Sequence, residues 1–176
     1  LVVIPAQNEA ATVVAIVQQV LAQGFDTLVV DDASTDATVD KGRWAGARVL
    51  SLPFHTGAWV AMQTGIRYAL ERGYRTVVTL DADGQHDPSV IHDLLTPMEG
   101  PSAPNVVIGS CYSRGSLGRR IAWRFLRTLG GISVMDLTSG YRAYDHQALT
   151  VVASRSATLL EYQDVGVLLL LMEHGM

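Results

Sequence analysis

Short β-branched apolar runs alternate with segments of helical periodicity along the whole of this 176-residue chain, and that alternation constrains the fold more than any one motif. The pattern predicts strands over residues 1–4, 27–30, 48–52, 77–80 and 106–109, with a strand or turn over 139–144. Apolar residues at a 3.6-residue period predict helices over 9–23, 56–72, 88–98, 118–129 and 159–174, with Gly24 and Gly73 closing the first two. A shorter helix, capped by Ser34 or Thr35, is expected to reach Ala45. Strands joined through helices pair in parallel, and a parallel sheet needs cover on both faces. The expected fold class is therefore α/β, a three-layer α/β/α sandwich with a mostly parallel sheet.

The composition, 48% hydrophobic and 17% charged, suits one domain over 1–176 with a real core. Leu1 opens inside a strand-like run and Met176 follows the helix-ending Gly175, so the natural protein is expected to continue past both ends. A net charge of −4 argues against a nucleic-acid partner, whose phosphates require a basic face. Basic residues do gather locally, at Arg114, Arg119, Arg120, Arg124 and Arg127. The lone Cys111 excludes an internal disulfide and fits a reducing, cytoplasmic setting. The longest apolar run, 165–172, is far short of the ~20 residues that cross a bilayer.

Chemistry concentrates at 76–86, TVVTLDADGQH, where an apolar strand breaks into polar residues. If the extended backbone continues, Asp81, Asp83 and Gln85 point to one side. Two carboxylates and an amide carbonyl form an all-oxygen set that suits Mg²⁺ or Mn²⁺ and suits zinc poorly. An ion with so few protein ligands completes its shell with phosphate oxygens, so the stretch reads as a nucleoside-diphosphate site. The competing account is an Asp-Gly turn. An EF-hand is excluded by the missing third carboxylate and by Pro88, and Asp87-Pro88 is better read as a helix start.

Two further polar clusters, 5–9 and 31–36, also follow strands directly. Ligands of open α/β sheets bind outside the carboxyl ends of the strands. Three such clusters are expected to face one crevice, which strengthens the metal–nucleotide reading over the turn.

Taken together, VVIPAQNEA, VVDDASTDAT, LDADGQHDP, VIGS and DLTSGYRAY resemble family 2 glycosyltransferases of the Rossmann-like GT-A fold, and within them the dolichyl- and polyprenyl-phosphate sugar synthases. The resemblance runs in order over nearly the whole chain. It implies that Pro5, Ala6, Asn8, Glu9, Asp32, Gly57, Asp81 and Ala82 bind the nucleotide of a UDP- or GDP-sugar, with a carboxylate accepting the imino N–H of uracil or guanine. It implies Asp81, Asp83 and Gln85 as metal residues, Asp83 also being catalytic. The ion, Mg²⁺ or Mn²⁺, would stabilise the leaving nucleoside diphosphate as a Lewis acid. His86 is a candidate neighbour of the ion or an ordinary structural histidine.

The implied acceptor is a polyprenyl or dolichyl phosphate, whose oxygen is already anionic and needs no strong base. Arg114, Arg119 and Arg142 would position it, since guanidinium grips phosphate in a bidentate way. Enzyme and acceptor would then meet peripherally at the inner face of the membrane. A sugar or alcohol hydroxyl would instead need a carboxylate base, for which Asp164, beside Glu161, is the candidate. Three departures stand out: Cys111 where the subgroup has arginine, the lack of the usual serine and asparagine within 119–127, and a glycine-rich segment reduced to His55-Thr56-Gly57. A catalytically silent nucleotide-sugar-binding domain is thus an alternative. A response-regulator receiver lacks its late lysine here, and a phosphatase using D-x-D-G leaves the first two clusters unexplained.

Overall fold

In a computed structural model of the chain, the described residues are 1–109, 139–160 and 163–176, with the side chains of 163 and 164 not included. The strands are β1 (Val2–Ala6), β2 (Thr27–Asp31), β3 (Arg48–Ser51), β4 (Val77–Thr79), β5 (Val106–Ile108) and β6 (Arg142–Tyr144). They form one sheet in the order β3-β2-β1-β4-β6-β5. β1 pairs in parallel with both β2 and β4, and β2 with β3, whereas β6 runs antiparallel to β4 and β5. The mostly parallel sheet is as expected, with β6 as its one reversed strand.

The helices are α1 (Val13–Ala22), α2 (Thr38–Trp44), α3 (Ala58–Glu71), α4 (Ile91–Leu95), α5 (His146–Val152), α6 (Arg155–Thr158) and α7 (Gln163–Glu173). Side chains alternate across a strand, so β1 feeds two cores. Val2, Ile4 and Ala6 pack with Val13, Ile16, Val17 and Val20 of α1 on one face. Val3 packs with Trp59, Met62, Ile66 and Ala69 of α3, and with Leu149 and Val152 of α5, on the other. Both helical sets recur at three- and four-residue spacings, which is the geometry of one buried stripe.

The face of α3 also carries donors. Trp59 Nε1, Gln63 Nε2 and Arg67 Nε, each four residues after the last, donate to the carbonyls of Ala157 (3.0 Å), Val152 (2.7 Å) and Ala153 (3.0 Å). These are carbonyls at the ends of α5 and α6, which lack partners within their own helices. The donor row therefore fixes α5 and α6 against α3.

Several boundaries differ from those expected. The first helix starts at Val13 rather than residue 9, because Asn8 has φ +57° and residues 9–12 form a turn in which Glu9 O accepts from Thr12 N and Val13 N. α2 starts at Thr38 and neither Ser34 nor Thr35 caps it; Ser34 Oγ accepts from Asn8 N instead. α3 starts at Ala58, after Gly57 at φ +92°. Residues 88–98 divide into a 3-10 turn (Pro88–Val90), α4 and a second 3-10 turn (Thr96–Met98). α5 and α6 were not expected, and the last helix starts at Gln163 rather than at 159. The helix expected over 118–129 lies outside the described residues.

Candidate functional site

Parallel pairing in the order β2-β1-β4 sets three strand ends side by side. Ala6 is in register with Asp31, Asp32 N donates to Ala6 O at 2.9 Å, and Leu80 N donates to Val3 O at 3.1 Å. Polar residues follow each strand end within two positions: Gln7 after β1, Asp32 after β2 and Asp81 after β4. The result is a crevice of about 250 Å³ lined by Pro5, Ala6, Gln7, Glu9, Asp32, Ala58, Asp81, Ala82 and Asp83. Of the residues singled out in the sequence, Pro5, Ala6, Glu9, Asp32, Asp81, Ala82 and Asp83 thus come together. Gln7 and Ala58 join them without any signal of their own in the sequence.

The Asp32 carboxylate is buried at this crevice and organises the segment before α3. Its Oδ1 accepts from Thr56 N at 2.7 Å and Thr56 Oγ1 at 2.9 Å, and its Oδ2 from Gly57 N at 2.7 Å. His55 Nδ1 stands 2.7 Å from Oδ2. Burial alone would raise the Asp32 carboxyl. The bonds from Thr56 and Gly57, together with the nearby His55, outweigh it and hold Asp32 below the usual carboxylate range. Gly57 thus acts through its amide and its left-handed backbone.

A second set of bonds joins the loops after β1 and β2. Asn8 Oδ1 accepts from Thr35 N at 2.8 Å, and Glu9 N donates to Thr38 Oγ1 at 2.8 Å. Asp36 accepts from Thr38 Oγ1, from Thr38 N at 2.9 Å and from Ala10 N at 3.1 Å. The Thr38 hydroxyl above all, with the amides of Thr38 and Ala10, holds the Asp36 carboxyl below its usual range. Asn8 is exposed and stands outside the crevice lining, where it ties two loops together. Thr12 bridges to the third loop, its Oγ1 lying 2.6 Å from Ala82 O and 3.0 Å from Glu9 Oε2. No sequence pattern singles out Thr12, because its contact spans seventy residues of chain.

The backbone after β4 does not stay extended. Residues 82–84 turn, Gly84 has φ +75°, and Gln85 N donates to Asp83 Oδ1 at 2.8 Å. The alternation that would aim Asp81, Asp83 and Gln85 to one side is therefore overturned by the Asp-Gly turn. Asp81 and Asp83 still reach the crevice, each from its own place in the turn. Gln85 is exposed and outside the lining.

Around Asp81 the site is closely built. Gly140 packs against its carboxylate, and Thr79 Oγ1 fixes Gly140 by donating to its carbonyl at 2.7 Å. The buried His86 stacks on Tyr141, with ring centroids 5.2 Å apart and 29° between planes. Among the described residues its Nδ1 has no hydrogen-bond partner, and it lies 3.5 Å from Asp81 Oδ2. Among the described residues no three His, Cys, Asp or Glu side chains gather as a self-sufficient metal site. Two hard carboxylates at a crevice nonetheless fit Mg²⁺ or Mn²⁺ that shares its shell with phosphate oxygens.

The acceptor candidates fare differently. Arg142 is buried in β6 and donates from Nε to Ser139 O at 2.8 Å. Asp164 lies in the first turn of α7, its side chain not described, and Arg114, Arg119, Cys111 and Glu161 lie outside the described residues. Among the described residues, no helix is long and apolar enough to cross a membrane.

Residues 1–157 match the family model described as glycosyl transferase family 2. The undecaprenyl-phosphate mannosyltransferase of Micrococcus luteus is 36% identical over 148 residues, covering 72% of this chain and 57% of that protein. The polyprenol monophosphomannose synthase of Mycolicibacterium smegmatis is 34% identical over 170 residues, covering 85% and 62% respectively. The chain thus spans about three fifths of the length of these curated relatives. A crystal structure of glucosyl-3-phosphoglycerate synthase from Mycobacterium tuberculosis, in complex with Mn²⁺, UDP-glucose and glycerol 3-phosphate, shares the fold. Its TM-score is 0.77 at 24% identity, covering 98% of this chain and 65% of that one.

Proposed function

The chain belongs to glycosyl transferase family 2 and has the α/β fold of GT-A enzymes, and from that premise we propose that it is the donor-binding part of a metal-dependent inverting glycosyltransferase. The donor is a UDP- or GDP-sugar, and the acceptor a polyprenyl or dolichyl phosphate. The observation that carries this reading is the meeting of Glu9, Asp32, Asp81 and Asp83 at one crevice from three separate strand ends. The named activities of the relatives from Micrococcus luteus and Mycolicibacterium smegmatis support the choice of acceptor.

In this reading Asp32 faces the imino N–H of the base, and Pro5, Ala6 and Ala82 offer walls to the nucleoside. Asp81 and Asp83 are the residues that would hold Mg²⁺ or Mn²⁺, while Gln85 would have to turn inward to join them. When bound, the ion offsets the charge that builds on the departing diphosphate. The acceptor oxygen attacks the anomeric carbon on the face opposite the diphosphate, and the bond from that carbon to the phosphate oxygen breaks. A phosphate nucleophile carries its charge already, so no proton need be removed and Asp164 is then dispensable. With a hydroxyl acceptor Asp164 would serve as the base.

Calorimetric titration with UDP, GDP, ADP and CDP, each with Mn²⁺ and with EDTA, tests the proposal. Tight binding of UDP or GDP that disappears with EDTA is the expected result. A folded protein that binds none of the four would overturn it.

A further inference from the structure

The turn after β4 leaves Gln85 in solvent and buries His86, whose side chain is 3% exposed. Its ring is held by stacking on Tyr141. Tyr141 is itself fixed: its OH donates to Asp87 O at 3.1 Å, and its ring packs on Gly109, where a Cβ would stand 3.0 Å from Tyr141 Cδ1. This packing explains an aromatic ring at position 86, and a phenyl ring would fill the place as well. It does not explain the nitrogen. A polar atom shut away from water without a partner costs free energy, and such atoms are few in folded proteins. Among the described residues Nδ1 of His86 makes no hydrogen bond, and the polar atom recorded beside it is Asp81 Oδ2 at 3.5 Å.

An imidazole lone pair facing a carboxylate oxygen would be repelled, so Nδ1 must carry the ring proton. An N–H···O bond spans roughly 2.7–3.2 Å, so a carboxylate shift of about 0.5 Å completes this one. Asp81 has room to make it, being 37% exposed and part of the crevice lining, whereas His86 stands behind it and outside that lining. Gly140 packs against the same carboxylate, and the adjacent Tyr141 clamps the imidazole, so one short segment places both neighbours of Asp81. Resting on the reading that Asp81 helps to hold Mg²⁺ or Mn²⁺, we propose that His86 is a positioning residue of that site, its Nδ1–H taking Asp81 Oδ2 and leaving Oδ1 turned to the ion. Donors of this kind fix the orientation of a metal-binding carboxylate, and their loss lowers metal affinity about 10- to 100-fold. His86 itself supplies no ligand, so it leaves the preference between metals unchanged.

The experiment measures Mn²⁺ and Mg²⁺ affinity at one fixed pH, with saturating UDP or GDP, for the unaltered chain, His86→Phe and His86→Asn. Phenylalanine keeps the stacked ring and removes the donor. The asparagine amide nitrogen lies as many bonds from the backbone as Nδ1 and restores one. Both metals are expected to bind His86→Phe about 10- to 100-fold more weakly, at a near-normal melting temperature, with His86→Asn recovering part of the loss. A ring that serves packing alone gives the opposite order, with His86→Phe binding metal normally, and overturns the proposal. Loss of Mn²⁺ with Mg²⁺ retained would also overturn it, because nitrogen ligands suit Mg²⁺ poorly and His86 would then be a ligand. Nitrogen NMR of the unaltered chain, labelled at histidine and loaded with Mg²⁺ and nucleotide, reads the tautomer whether or not the variants fold. A proton on Nδ1 is expected, and one on Nε2 alone would overturn the proposal. Nucleotide binding by the unaltered chain that needs no metal would remove the role of Asp81, and that of His86 with it.

Discussion

A Cβ placed on Gly140 would stand 2.8 Å from Asp81 Oδ2 and 2.9 Å from Oδ1, so the backbone entering β6 forms a wall against this carboxylate. Thr79 Oγ1 holds that wall by its bond to Gly140 O. The φ of Gly140 is not in the left-handed region, so the residue is small for the sake of Asp81 and not of its own backbone. Gly140→Ala should displace the carboxylate while the chain still folds. Supporting groups of this kind change metal affinity by about 10- to 100-fold. A fall of that order in the Mn²⁺ dependence of nucleotide binding, with a near-normal melting temperature, is expected. Unchanged Mn²⁺ dependence would show that Asp81 takes no part in holding the ion.

Asp83 provides the sharper test of the metal site. It is exposed, and its recorded hydrogen bond is the one from Gln85 N, which an asparagine oxygen can also accept. Asp83→Asn should therefore leave stability within about 0.5 kcal/mol of the original, as for most surface changes. Nucleotide binding that depends on Mn²⁺ should disappear. Retention of normal Mn²⁺-dependent affinity would remove Asp83 from the site.

The order of strands and helices was legible in the sequence because β-branched runs and 3.6-residue stripes report burial directly. The convergence of 5–9, 31–36 and 81–83 was legible because parallel strands all end on one side. What escaped was decided by distant partners. Asn8 adopts φ +57° and ties to Thr35, which delays α1 to Val13, and α5 and α6 are placed by donors on α3. The expected common face for Asp81, Asp83 and Gln85 failed because Gly84 favours a turn over extension. The segment His55-Thr56-Gly57 stood out only as a departure from the family pattern, whereas its bonds from Thr56 and Gly57 to Asp32 are long-range and carry no local signal.

Gly65 marks where α3 lies closest to the sheet. A Cβ there would come within 2.3 Å of Val3 Cγ1 and 3.1 Å of Val30 Cγ2, both in the buried layer between α3 and the central strands. Val3 and Val30 are stiff at χ1 and cannot clear the space without moving their strands. Overpacking of this kind costs about 1–3 kcal/mol. Gly65→Ala should lose that much stability in urea unfolding, although alanine favours helix. A stabilised variant would mean that helix propensity outweighs the contact with β1.

Acid stability should depend on Asp32. Its folded carboxyl lies below the reference value of 3.8, so folding favours the ionised form. The associated stability is complete above that reference value and is lost as pH falls from it through the folded value. Asp32→Asn removes this contribution at every pH and turns an amide N–H₂ toward at least one of the donors on Thr56 or Gly57. A buried donor left unmet costs about 1–3 kcal/mol, so a deficit of that size is expected at pH 7 and pH 5. Between pH 4 and pH 3 the gap between the two proteins should narrow, because the unaltered carboxylate then takes up its proton. Asp36 and Asp87 are also held low, Asp87 by the Ser89 amide foremost, so some acid sensitivity should persist in the variant. Urea unfolding of both proteins from pH 7 to pH 3 measures the gap directly. A gap that stays constant to pH 3 would mean that the bonds from Thr56 and Gly57 do not favour the charged form of Asp32.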